Sequence, residues 1–122
     1  MTETGLHQLV LDLCRSGWSD MPFEPFRDGI EIHRLYGDGR EGPAAAILRY
    51  APGGAAPLHE HTGYEHILVL EGSQEDEFGR YEEGALVVNA PGTRHSVRSP
   101  EGCVALLIWE KPVRFIDLDG GD

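Results

Sequence analysis

Glycine and proline recur along this chain, sixteen of one and eight of the other, scattered rather than clustered. That scatter implies many tight turns between short strands. The stretches between the turns agree. "IEIHRLY" sets Ile30 and Ile32 against Glu31 and His33, the alternation of a half-buried strand. "PAAAILRYA", "HILVL", "ALVVN" and "HSVRS" read as further strands. "GDGREG", "PGGAAP", "APGTRH" and "SPEG" read as turns. "EGSQEDEFGRYEEG" reads as a polar hairpin. Its acidic run at 75–77 is expected as a solvated tip that could also blunt an edge strand. "CVALLIW" is apolar on both faces, as where a second layer covers a sheet. Short strands at regular spacing indicate an all-β sandwich or barrel.

The first 29 residues are less regular. "LHQLVLDL" (6–13) fits either a helix face or one side of a strand, and a strand is expected. "SGWSDMPFEPFRDG" (16–29) reads as a loop or extended connector. Trp18, Phe23 and Phe26 are expected to pin it to the barrel surface or to a partner. Residues 1–29 are thus an N-terminal strand and connector, and 30–116 a barrel. Together they form one domain, as 122 residues allow. Such a chain buries a core without disulfide or metal staples.

A net charge of −11 argues against nucleic acid and anionic membrane as partners. Cys14 and Cys103 share no metal-binding or redox spacing and are expected as free thiols in a reducing compartment. The N-terminus lacks the basic and apolar regions of a signal peptide, and no window has the apolar length of a membrane span. A cytoplasmic location follows as the expectation.

The chemistry concentrates in "PLHEHTGYEHILVLEG" (57–72). His59 and His61 are two apart, so on a strand they share a face. Glu65 has the same parity, with Ile67 and Val69 following as an apolar floor. Two imidazoles and a carboxylate facing one way make a metal half-site. His95, after the Pro91-Gly92 turn, is the candidate fourth ligand from a neighbouring strand. Three imidazoles and one carboxylate fill tetrahedral Zn²⁺, or leave two positions open on octahedral Fe²⁺, Mn²⁺ or Ni²⁺.

These residues resemble the two motifs of the cupins. Gly53, His59, His61, Glu65 and Gly72 stand at every specified position of G-x5-H-x-H-x3,4-E-x6-G. Gly84, Gly92 and His95 follow G-x5-P-x-G-x2-H-x3-N, with the proline displaced to Pro91 and Ser99 in place of the final Asn. Neither departure touches a ligand. The resemblance covers roughly residues 43–110. Within the superfamily it is nearest to the cupin domain of ChrR-type anti-sigma factors and their stand-alone relatives. It implies a double-stranded β-helix, the RmlC-like jelly roll, with one divalent metal inside. In ChrR the domain binds zinc and takes part in a singlet-oxygen response, while a separate helical zinc module binds the sigma factor. No HxxxCxxC segment of that module stands in this sequence and few residues precede the barrel, so the resemblance implies the metal site and not sigma-factor sequestration by this chain alone.

Two functions are compatible with the ligand set. One is a non-enzymatic sensor or small-ligand-binding domain. The other is a metal-dependent dioxygenase or other oxygen-using enzyme. No second group placed for acid–base work is evident, which favours the first. A metal-free isomerase is opposed by the four ligands. Other polar residues have plainer expected roles. His66 has the opposite parity to Glu65 and is expected outside the barrel. Glu60 points outward between the histidines, Tyr64 sits at a rim, and His7 and His33 are ordinary polar positions. Cys103 and Trp109 share parity and either line the pocket or pack in the core. Arg94 and Arg98 are expected to pair with surface carboxylates. Cupins commonly pair through sheet edges, so a homodimer is expected, with Trp18, Phe23 and Phe26 as its candidate contact.

Overall fold

The computed structural model describes residues 11–15 and 17–116. His7 and most of the strand expected over 6–13 lie outside them. Leu11 and Asp12 belong to no regular element, and Leu13–Arg15 is a single 3-10 turn rather than the end of a strand.

Ten strands follow: β1 (Glu24–Arg27), β2 (Ile30–Tyr36), β3 (Ala44–Tyr50), β4 (Gly54–Glu60), β5 (Glu65–Asp76), β6 (Gly79–Glu82), β7 (Leu86–Asn89), β8 (Arg94–Ser99), β9 (Cys103–Trp109) and β10 (Arg114–Phe115). They pair in the order β1-β2-β3-β9-β5-β8-β4-β10, with β6 and β7 also on β5. The long β5 joins two layers. Residues 65–72 pair with β9, and 65–68 also with β7. Residues 73–76 pair with β6, and Glu75 with β8. The result is a curled antiparallel sheet folded on itself, the jelly roll expected for two cupin motifs. Among the described residues no helix is long and apolar enough to cross a membrane.

Inward-facing residues of both layers make one core. Ile30 and Ile32 of β2, Ala46 and Leu48 of β3, Ile67 of β5 and Leu107 of β9 are all buried in it. The opposite face of the first layer is covered too. Trp18 packs there on Ile47 and Val104, with Leu13, Met21 and Phe23 beside it. This explains the two-sided apolar pattern of "CVALLIW". Trp18 and Phe23 therefore pin the connector to the chain's own barrel. His33 helps, its Nδ1 lying 3.0 Å from the Pro22 carbonyl oxygen that accepts from it.

Two stretches differ from the sequence expectation. Residues 24–27 of the connector form β1, so the sheet begins before residue 30. "PGGAAP" is mostly strand, since β4 starts at Gly54 and pairs Gly54 with Ser99 and Ala56 with Val97. Gly54 is used there because a side chain would meet the Gly29 carbonyl.

β5 changes layers at Gly72, whose φ is 76°. A Cβ there would run into the Gly102 carbonyl oxygen and lie 3.0 Å from Cys103 Cα. Gly84, with φ 92°, has nothing within 4 Å of its virtual Cβ. Gly84→Ala is thus expected to cost only the left-handed strain, about 1 kcal/mol. Gly72→Ala adds a backbone clash and is expected to cost at least about 3 kcal/mol. Denaturant midpoints compare the two, and equal losses would show that the Gly102 approach is not limiting.

Candidate metal centre

A bulge builds the first half of the site. Along β4 the register slips by one residue between Ala56 and His59. Pro57, which has no N–H for the ladder, sits in the slip. Ala56 faces the core, and three residues on a regular strand would turn His59 outward. The extra residue turns His59 inward instead, directly opposite His95 of β8. His61 follows two residues on, and Glu65 begins β5.

The structure brings all four candidate ligands together. His59, His61, Glu65 and His95 are 1–5% exposed, and one ligand atom from each lies within 4.8 Å of all the others. Ring centroids are 5.2 Å apart for His59–His61 and 4.7 Å for each of the pairs with His95.

Each imidazole is held by its Nδ1. His59 Nδ1 donates to the Pro57 carbonyl at 2.8 Å. His61 Nδ1 is 3.1 Å from the Thr93 carbonyl and 3.0 Å from Thr93 Oγ1. The Thr93 hydroxyl spends its own proton on Ala90 O, so both groups accept from His61. His95 Nδ1 is 3.0 Å from Asp76 Oδ2. A neutral imidazole that donates from Nδ1 has a bare lone pair on Nε2. Three such lone pairs therefore point at one buried volume. Nε2 of His61 and of His95 are buried without a hydrogen-bond partner. His61 Nε2 lies 3.0 Å from Glu65 Oε1 but without the direction of a hydrogen bond, and His95 Nε2 lies 4.0 Å from it.

Glu65 completes the set. Burial pushes its carboxyl up, but with the imidazoles protonated a hydrogen bond from His61 and the charges of His61, His59 and His95 outweigh that and hold it below the ordinary value. Asn89 Nδ2 donates to its Oε1 at 3.0 Å. A buried carboxylate facing three nitrogen lone pairs is costly alone and balanced by a cation. The donor set thus fits one divalent ion.

Asp76 was not singled out by sequence reasoning. The hairpin tip expected to be solvated is partly buried, because β5 and β6 fold back beside β8. Asp76 is 8% exposed and fully bonded. Oδ1 accepts from Phe78 N at 2.8 Å, Gly79 N at 3.1 Å and Tyr81 Oη at 2.8 Å, while Oδ2 accepts from His95. Burial raises its carboxyl, yet the bonds from His95, Tyr81 and Phe78 win and hold it below the usual range. The available signal was an Asp two residues before the "FG" turn, which suits a side chain that caps its own turn. Glu77 bonds Ser96, and Glu75 pairs with Arg98 at 2.8 Å.

The other residues fall as follows. His66 is on the outer face beside Tyr36, Val88 and Ile108. Glu60 pairs with Arg114, and with Arg94 at 3.7 Å, and touches no imidazole. Tyr64 is half exposed. Cys103 packs in the core, where burial pushes its thiol up, and Cys14 is exposed; both are free. Trp109 lines a cavity that Cys103 does not reach. Ser99, in place of the motif's Asn, is fully buried and donates to Ser73 O at 2.6 Å.

That cavity, about 230 Å³, reaches His59, Glu65 and His95 at one end. Its walls are mostly apolar, with Ile30, Leu48, Ile67, Val97 and Leu107 among them, and the partly exposed Phe26 and Phe115 also line it.

Comparison with known proteins places this fold. A family model described as the ChrR cupin-like domain matches residues 15–114. The anti-sigma-E factor ChrR of Cereibacter sphaeroides is 36% identical over 77 residues, 61% of this chain and 36% of that protein. A chain in the crystal structure of Rhodobacter sphaeroides SigE in complex with the anti-sigma ChrR superposes with TM-score 0.66 and 26% identity, over 74% of this chain and 50% of that one. An acetylacetone dioxygenase from Acinetobacter johnsonii superposes with TM-score 0.77 and 18% identity, over 98% and 84%. The chain thus spans about a third of the curated relative's length.

Proposed function

The chain belongs to the ChrR cupin-like domain family, and on that premise we propose that it is a metal-binding cupin that senses or binds a small ligand in its barrel. His59, His61, Glu65 and His95 hold one divalent ion. The observation that carries this reading is the convergence of three Nδ1-tethered imidazoles and Glu65 on one buried volume. Such an ion, when bound, supplies Lewis acidity facing the cavity. The chain's own part is to fix each Nε2 lone pair, keep Glu65 ionised and exclude water with an apolar wall.

A second reading, a metal-dependent dioxygenase, is favoured by the cavity that abuts His59, Glu65 and His95. It is weakened by the walls. Beyond the ligands, Tyr50 is the buried titratable group there, and burial raises its phenol so that it stays protonated.

Elemental analysis of protein purified without added metal separates these readings. Zinc at one per chain favours sensing or binding, and iron favours oxygen chemistry. A protein that neither carries nor takes up a divalent ion sinks both. Acid provides a second check. Burial lowers His59 below the ordinary 6.5, the Pro57 carbonyl offsetting part of this. His59 thus keeps its lone pair further into acid than a free imidazole does. Occupancy is expected to hold at pH 7 and to fall as protons compete for Nε2 below about pH 6. The metal-free protein follows the same sign. Its unfolded chain takes up the His59 proton first, so stability drops as pH falls through 6.5 toward the lower folded value. Metal release that is flat between about pH 7 and 4 would contradict imidazole ligation.

A further inference from the structure

Two guanidiniums line the cavity. Arg34, like Asp38 on the same lining, is exposed. Arg27 is aimed inward by a second bulge. The register of β1 against β2 slips between Pro25 and Arg27, which sets Arg27 opposite Ile30. Residues directly opposite in an antiparallel pair share a face. Ile30 is 2% exposed and belongs to the core, so Arg27 lies on the inner face. A regular strand would have given that place to Phe26 alone.

Asp38 and Glu65 line the same cavity, but neither pairs with Arg27. Its Nε is buried without a hydrogen-bond partner, and no ion pair is formed with it among the described residues. Its contacts are aromatic faces, with Cζ 4.4 Å from the Phe115 centroid and 5.6 Å from that of Phe26. Phe115 in turn lies 5.5 Å from the His59 ring. One phenyl ring therefore separates the guanidinium from the ligand cluster along the cavity wall. Cation–π contact stabilises a guanidinium but leaves its donors unused. A buried unused donor costs about 1–3 kcal/mol, and the Arg27 side chain that carries it lines the cavity of about 230 Å³. The chain's net charge of −11 repels anions at long range, so an anionic ligand needs such a local cation.

We propose that Arg27 is the anion-binding group of the cavity. The ligand is a small organic acid: its carboxylate meets Arg27, its apolar body lies along the walls, and a donor atom at its other end reaches the metal. Only that last contact rests on the metal reading above. Arg suits the task because its planar fork meets a carboxylate with two parallel hydrogen bonds.

The test uses 3-(imidazol-4-yl)propanoate and its primary amide. Both carry a metal-binding imidazole and the same spacer, and they differ in charge at the far end. Calorimetry on the protein as purified is expected to show the acid binding at least about tenfold more tightly than the amide. Arg27→Met keeps an unbranched stem on Phe115 and is expected to lose that preference, with metal content unchanged and amide affinity within about twofold. Arg27→Lys is expected to restore part of it. The proposal is overturned if wild type binds no acid at millimolar concentration or shows no preference for it. It is also overturned if Arg27→Met keeps the preference, or loses acid and amide together. Acid and amide affinities that are both unchanged in protein without metal would remove the contact to the metal and leave Arg27 standing.

Discussion

His59→Ala and His95→Ala protein is each expected to contain less than about a tenth of an ion per chain, against one in wild type. The size of the effect follows from the geometry. Both imidazoles belong to a set of four donors within 4.8 Å, and the two face each other across the β4–β8 ladder. Removing either leaves three donors and opens a gap beside the carboxylate. Metal binding falls steeply when a ligand is lost because the remaining donors no longer define a closed geometry. The fold is expected to survive, since none of the imidazoles belongs to the apolar cluster between the layers. Elemental analysis gives the occupancy, and far-UV circular dichroism checks the sheet. His66→Ala is the control. It sits one residue from Glu65 but on the outer face, and should keep a full ion. Wild-type occupancy in either ligand variant, or its loss in His66→Ala, would show the ligand set to be wrong.

Much of this site was legible in the sequence because its spacing follows strand parity. His59 and His61 are two apart, and Glu65 opens the next strand in the same phase. The family model matching residues 15–114 bears out the cupin resemblance carried by those positions. What sequence could not supply was the register. Whether His59 faces in depends on a bulge at Pro57 that only pairing with β8 reveals. "PGGAAP" reads as a turn because Gly and Pro dominate it, yet Gly54 serves a close approach to Gly29 inside a strand. Residues 24–27 read as connector for a similar reason, Pro25 being tolerable at a sheet edge. Their bulge, invisible in sequence, is what sends Arg27 into the cavity. Asp76 was masked by company. An acidic residue between two others looks solvated, and nothing local says that the hairpin lies against His95. These misses share one cause: each residue's role is set by a partner at least nineteen positions away in the chain or by a slip in pairing.

Asp76→Asn is expected to weaken metal binding about 10- to 100-fold, although Asp76 touches no metal site directly. Wild-type Asp76 accepts four hydrogen bonds, three on Oδ1 and one on Oδ2. An asparagine has one oxygen. If that oxygen serves Phe78, Gly79 and Tyr81, its NH₂ faces His95 Nδ1, and two donors meet. His95 must then turn away or move its proton to Nε2, and either change removes the lone pair from the cluster. If the amide flips, three donors at the turn lose their acceptor instead. The carboxylate's charge is lost as well, and with it the attraction it adds for a cation held beyond His95. Tyr81→Phe provides the graded comparison. Burial and the Asp76 carboxylate push the Tyr81 phenol up to about 12, so it is a firm donor. Its loss frees one bond on Oδ1 and leaves His95 bonded, so the expected loss of metal affinity is below about threefold. Affinity measured by chelator competition, together with the His95 Nδ1 and Nε2 shifts by NMR, reads both variants. Tighter or equal binding in Asp76→Asn, with the His95 tautomer unchanged, would mean that packing alone orients His95 and that Asp76 only closes its own turn.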